Sequence, residues 1–214
     1  MAVVRKLNMA GVPAMPPGTP EHHCTAVITE EPPLAYRAAL WAVAGCAAGT
    51  ARLLWRRRLH LPRGHGGMRL RFADGTSARV YRETVVDRHP ARDPCVLVVG
   101  FRLRAVRGWG HAAFRAESLL NTPLFAGFPG LVSKLWLADD QRGRYRGLYE
   151  WDGPQRAVAY ARALWRVLAL VSVPGSVHYV VLPGLRRDEL LTRPQVLAGA
   201  AADAAAWWRL AGIS

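Results

Sequence analysis

The sequence predicts an α+β fold, and three observations carry that prediction. From residue 94 to residue 184 the apolar pattern reads strand, helix, strand, strand, helix, strand. Turn residues separate these segments: Gly127-Phe128-Pro129-Gly130, then Asp139, Asp140 and Gly143, then Pro174-Gly175. The composition, 51% hydrophobic with 8 Trp in 214 residues, supplies material for a sizeable core.

Taken in order, residues 1–33 hold six prolines and little periodicity, so they read as a flexible leader. A helix is expected from about 34 to 59, where Leu40, Ala44, Ala47, Ala51 and Leu54 recur at helical spacing. Only 14 uncharged residues separate Arg37 from Arg52, short of the ~20 that span a bilayer. An amphipathic helix packed on protein is therefore favoured. Arg56, Arg57 and Arg58 keep membrane contact through residues 34–58 as the less favoured alternative. Gly45 and Gly49 read as a close-packing pair. Alternating segments around Asp74-Gly75 predict a hairpin, and residues 34–93 form an N-terminal extension of helix plus hairpin.

From Pro94 the reading sharpens. Cys95–Phe101 is a nearly continuous apolar run, as in a central strand. A helix is expected over 111–121, strands over 131–137 and 145–151, a helix from Pro154 to about Pro174, and a strand over 177–182. Both helices on one face of a four-stranded antiparallel sheet make a ferredoxin-like domain, residues 94–184. Residues 185–214 form a C-terminal extension with an Ala-rich helix over 195–210, ending in Trp207 and Trp208.

The formal charge of +14 invites a nucleic-acid reading. The arginines, however, are scattered along the chain rather than gathered in one stripe, and counterion release needs contiguous phosphate contacts. No nucleic-acid partner is expected; the charge suits an anionic substrate or carrier protein. Three unlike cysteines (Cys24, Cys46, Cys95) without metal spacing suit a reducing cytoplasm, as does the lack of a basic-then-apolar leader. There is no GxSxG, P-loop, GxGxxG after a strand or HExxH. Neither a cofactor nor a metal is expected.

The candidate site lies on the paired strands 131–137 and 145–151. Side chains alternate across a strand, so Val132, Lys134 and Trp136 share one face. A loop centred near Gln141 sets Arg146, Leu148 and Glu150 beside them, and turns Tyr149 and Trp151 to the other face. Lys134 is one of two lysines in the chain, the other being Lys6. A mid-strand lysine among apolar neighbours needs a partner or loses its proton. Two readings follow: a cross-strand ion pair with Glu150, or a polar group in an apolar pocket. His111 and Glu117 on the first helix are acid–base candidates beside Lys134. Asn121, Phe128, Trp136, Tyr149, Trp151 and His178 are candidate substrate contacts; the aromatic residues also suit a plain core.

Three segments, Pro129-Gly130-Leu131-Val132-Ser133-Lys134-Leu135-Trp136, Gly147-Leu148-Tyr149-Glu150-Trp151 and Ala157-Val158-Ala159-Tyr160, carry a family pattern. In these the chain resembles the YdhR-like mono-oxygenases, a branch of the dimeric α/β-barrel superfamily. The resemblance spans residues 94–184. It implies a homodimer in which two sheets close a barrel, with a pocket between each sheet and its helices. It also implies a natural-product tailoring enzyme for a small apolar or aromatic substrate, of polyketide type. The reaction would be cofactor-independent mono-oxygenation or, as the alternative, non-redox cyclisation or cycloaddition. A non-catalytic ligand- or partner-binding module is the third expectation. The chain departs from the pattern in the 93 residues before the domain, a longer second helix and the C-terminal addition.

Overall fold

A computed structural model describes residues 28–29, 31–87, 90–104, 125–197 and 206–214. Its centre is one curled antiparallel sheet, with few helices among the described residues, in an α+β arrangement. The strands are β1 (Ile28–Thr29), β2 (Leu59–His60), β3 (Arg69–Phe72), β4 (Ser77–Val86), β5 (Pro94–Arg102), β6 (Leu131–Leu137), β7 (Arg144–Asp152), β8 (His178–Pro183) and β9 (Leu210–Ile213). They lie in the order β1-β8-β5-β7-β6-β4-β3-β9, with β2 also against β4. The helices are α1 (Tyr36–Trp55), α2 (Pro154–Val171) and the short α3 (Arg187–Thr192). The helix expected over 111–121 lies outside the described residues.

The inner strands fall where the apolar runs place them, because a strand covered on both faces must be apolar at consecutive positions. In β5, Cys95, Val96, Leu97, Val98 and Val99 are all buried. Cys95, Leu97 and Val99 point to one face, with Trp151, Tyr160 and Val181. Val96 and Val98 point to the other, with Leu70, Leu135 and Leu148. Each fully buried Leu or Val contributes roughly 1.5–3 kcal/mol, so the two layers together fix the sheet. The hairpin about Asp74-Gly75 forms as expected, with Arg69 opposite Arg79 and Gly75 at φ 81°. Its second strand runs on to Val86 and pairs with β6, so the hairpin is part of the main sheet.

α1 packs differently from the sequence expectation. Its buried residues are Ala39, Cys46 and Thr50, whereas Leu40, Ala44, Ala51 and Leu54 are exposed. The reason is close approach. A Cβ on Gly49 would sit 2.6 Å from the Gly127 oxygen, and one on Gly127 would strike the Cys46 oxygen. Only a stripe of small residues lets the helix come that near, and the larger leucines are turned aside. Gly49 thus serves packing, while Gly45 meets nothing within 4 Å.

α2 starts with Pro154 at its first turn, where a missing N–H costs nothing. It buries Ala157, Tyr160 and Ala161 against the sheet. The helix expected over 195–210 is corrected at both ends. Pro194–Leu197 is a 3-10 turn and Leu210–Ile213 is the strand β9, paired with β3; residues 198–205 lie outside those described. Trp208 is buried in the β3 face of the sheet, and Trp207 lies over Gly100, where an added Cβ would come within 2.5 Å of its ring. At the described ends, docking of two indoles and pairing of Leu210–Ile213 with β3 decide the outcome.

Candidate active site

The hairpin that joins β6 to β7 decides which side chains meet. Asp140 accepts the backbone N–H groups of Arg142 and Arg144 through Oδ1, at 2.8 and 2.9 Å. Its own N–H donates to the Arg144 carbonyl, and Gly143 takes φ 70°. This is a three-residue loop ending in a left-handed glycine, which adds a residue on the β7 side. The register is therefore one residue away from a loop centred at Gln141. Lys134 faces Tyr149, Trp136 faces Gly147, and Leu135 faces Leu148. A one-residue slip moves a whole strand to the other face.

The consequence corrects the expected Lys134–Glu150 ion pair. Glu150 is on the opposite side of the sheet, where it accepts the Arg187 backbone N–H at 3.2 Å and lies 3.6 Å from Arg186. Burial raises its pKa, and those contacts oppose the rise. Lys134 instead joins Trp136, Tyr149 and Trp151 on the α2 face.

There the Lys134 ammonium nitrogen is 3.2 Å from the Trp136 ring centre, 4.2 Å from that of Phe125 and 4.6 Å from that of Tyr149. The residue is only 5% exposed, and among the described residues no carboxylate lies within ion-pair distance. Two strand neighbours from β4 complete the surround: Thr84 opposite Lys134 and Arg82 opposite Trp136. Thr84 Oγ1 accepts the Trp136 indole N–H at 3.1 Å, and the Arg82 guanidinium is 3.9 Å from the Trp136 ring centre.

Burial, and then the positive charge of Arg82, push the Lys134 pKa well below its ordinary value. The ring quadrupoles work in the other direction. Three desolvated cation–π contacts of about 2 kcal/mol each offset part of the several kcal/mol that removing an ammonium ion from water costs, and the Arg82 charge adds to that cost. The net direction is downward. The Arg82 guanidinium starts from a much higher pKa, so of the two cations the lysine is the one that burial brings closer to its neutral form. A neutral amine has a lone pair; it can take a proton, accept a hydrogen bond or attack a carbonyl carbon.

Beside the amine the Tyr160 hydroxyl donates to the Tyr149 oxygen at 3.2 Å. Burial raises both phenols well above their ordinary range, so both are neutral donors at physiological pH. Tyr149 lies across its own strand because Gly147 has no side chain; a Cβ there would sit 2.5 Å from the ring. Phe128 meets Tyr160 edge-on at 5.1 Å, and Trp151 lies 4.8 Å from the same ring. The Trp151 indole nitrogen is buried without a hydrogen-bond partner, an uncommon state for a buried donor.

Of the residues expected from sequence, Lys134, Trp136, Tyr149, Trp151 and Phe128 therefore come together. His178 does not. It sits on the other face with Val180 and Leu182, its ring 6.2 Å from that of Trp207. His111, Glu117 and Asn121 lie outside the described residues. Arg82, Thr84, Tyr160 and Phe125 join the site without having been expected there. Alternation along β4 puts Arg82 and Thr84 on one face, but nothing local in sequence says that β4 pairs with β6.

Among the described residues no group of three or more His, Cys, Asp or Glu is placed to hold a metal. Cys46 and Cys95 are buried thiols outside any disulfide, and burial raises both, Cys95 to about 12. No protein-family model matches the chain, and no curated protein matches it.

Proposed function

We propose that the chain is a small-molecule enzyme, a cofactor-independent mono-oxygenase that takes a flat, electron-rich aromatic substrate against the Lys134 face of the sheet. The observation that carries this reading is the Lys134 amine, buried among three aromatic rings and held toward its neutral form. In this reading Lys134 is the general base. It removes a proton from a phenol or an activated C–H, and the resulting anion reduces dioxygen. One oxygen atom enters the product and the other leaves as water, with the substrate giving up two hydrogens. Tyr149, Tyr160 and the unpartnered Trp151 N–H hold the developing oxyanion, and the aromatic walls exclude water.

The reading includes the ferredoxin-like domain over residues 94–184 and its assembly as a homodimeric α/β barrel of the YdhR-like kind. The neighbour order β8-β5-β7-β6 supports it, since it runs fourth, first, third, second along that domain. So does the Gly147–Tyr149 packing, which gives the Gly-x-Tyr strand a physical cause.

The test is product mass. The full chain is incubated in air and in isotopically heavy dioxygen with a panel of polyhydroxylated aromatic compounds. Expected is a product with one more oxygen, labelled from the gas, and loss of turnover in Lys134→Met. An isomer of the substrate without label replaces oxygenation by cyclisation on the same face. A compound bound but unchanged replaces both by a binding module.

A further inference from the structure

α1 is a 20-residue, mostly apolar helix, yet it buries only Ala39, Cys46 and Thr50. The opposite face is continuous. Arg37, Trp41, Ala44, Ala48, Arg52 and Trp55 follow at steps of three and four residues, share one side of the helix, and are all exposed. Trp41 is 79% exposed and Trp55 84%. Leu40 and Leu54 flank them at 69% and 55%. Large apolar patches of this kind on a protein surface mark an interaction site.

Charge says what kind. From Leu34 through Ala73 the chain carries eight arginines (37, 52, 56, 57, 58, 63, 69 and 71) and no aspartate or glutamate. Arg52, Arg56 and Arg57 are exposed at the end of the helix that carries Trp55. We propose that the outer face of α1 docks flat on an anionic phospholipid bilayer. Trp41, Trp55, Leu40 and Leu54 enter the headgroup boundary, and the arginines pair with lipid phosphates. Tryptophan favours that boundary because its ring is apolar and its N–H polar. Arg37 and Arg52 lie in the same stripe with long stems that reach up to the phosphates.

The competing occupants fit less well. A second copy would set two arginine-rich faces against each other. A full span is too short: 14 residues between Arg37 and Arg52 make about 21 Å of helix, against the ~30 Å of a bilayer core. Nucleic acid would satisfy the arginines and leave the indoles and leucines in water.

The experiment is flotation of the full chain with vesicles of equal parts phosphatidylglycerol and phosphatidylcholine, and with phosphatidylcholine alone. The chain is expected to float with the anionic vesicles and to be released by salt. Trp41→Ser with Trp55→Ser abolishes flotation. Replacing Arg56, Arg57 and Arg58 by Gln lowers the partition coefficient by about a hundredfold. All these positions are away from the core, and unchanged circular dichroism and denaturation midpoint establish that the variants fold. No flotation of the wild type, or flotation that ignores both variants, overturns the proposal. So does a dimer that ignores vesicles and is split by the two tryptophan substitutions; the face is then a contact between copies.

Discussion

Lys134→Met isolates the cost of the buried amine. Methionine keeps an unbranched stem in the same space among Phe125, Trp136 and Tyr149 and removes only the titrating end. The sign follows from the lowered pKa. In the unfolded chain the lysine holds its proton up to about pH 10.5; in the folded chain it gives the proton up earlier. Between the folded pKa and 10.5 the unfolded state binds the extra proton, so wild-type stability rises with pH by about 1.4 kcal/mol per unit. Below the folded pKa the penalty is constant and full; above 10.5 it vanishes. The Met variant has no such term. It is therefore expected to be more stable than wild type near neutral pH, with an advantage that narrows by about 1.4 kcal/mol per unit as pH rises from the folded pKa toward 10.5. The assay is urea unfolding of both proteins at equal concentration across that range, with the slope of free energy on denaturant checked for constancy. Taking the difference between the two proteins cancels the tyrosines and thiols common to both. A difference that does not change with pH would sink the argument, because it would mean that the aromatic rings keep the lysine charged in the fold.

Two further perturbations test the framework around the site. Gly147→Ala puts a methyl 2.5 Å from the Tyr149 ring, so the ring must move off Tyr160; a loss of about 1–3 kcal/mol in denaturant stability is expected. Gly143→Ala is its control, since only its φ of 70° is at issue and nothing lies within 4 Å; its cost is about 1 kcal/mol, and an equal cost at both sites would refute the packing account. Asp140→Ala removes both the loop acceptor and the 2.6 Å partner of the fully buried Arg146. Asp74, at 3.1 Å, still faces that guanidinium, so a loss near 3 kcal/mol is expected, measured by chemical denaturation. Burial alone would raise the Asp140 pKa, but the Arg144 N–H and Arg146 outweigh it. Its contribution is thus present above the ordinary carboxylate value and lost as pH falls through the lowered one. The Ala variant should show that much less acid sensitivity, by the same denaturation series at pH 2 to 5.

Strand positions were legible because β5 and β7 are buried on both faces, and an apolar run leaves few other placements. Lys134 was legible as a misfit because a lysine inside such a run has no cheap explanation. Its neighbours were not. They depend on one residue in the Asp140–Gly143 loop, whose side-chain hydrogen bonds set the register and are invisible to alternation alone. Arg82 and Thr84 depend on a strand pairing far along the chain. The face of α1 was misjudged for another reason: contact with Gly127 selects small residues, while a count of apolar spacing selects leucines. At the C-terminal end of that expected helix, pairing of Leu210–Ile213 with β3 and the burial of Trp208 are tertiary terms that no local pattern shows.

The sheet also carries an order of assembly. Its outermost strands come from the two ends of the chain: Ile28 in β1 waits for Val181, and Leu70 in β3 waits for Ile213 in β9. The hairpins β3–β4 and β6–β7 close locally and can form first, whereas both closures at the margins span most of the chain and carry a large loop entropy. On a ribosome the sheet therefore cannot be finished until β9 has emerged. Until then β3 presents an open edge of backbone N–H and C=O groups to other chains. Removing residues 206–214 is thus a lesion in folding yield and aggregation before it is a lesion in chemistry, because the strand lost is the one that covers the β3 edge.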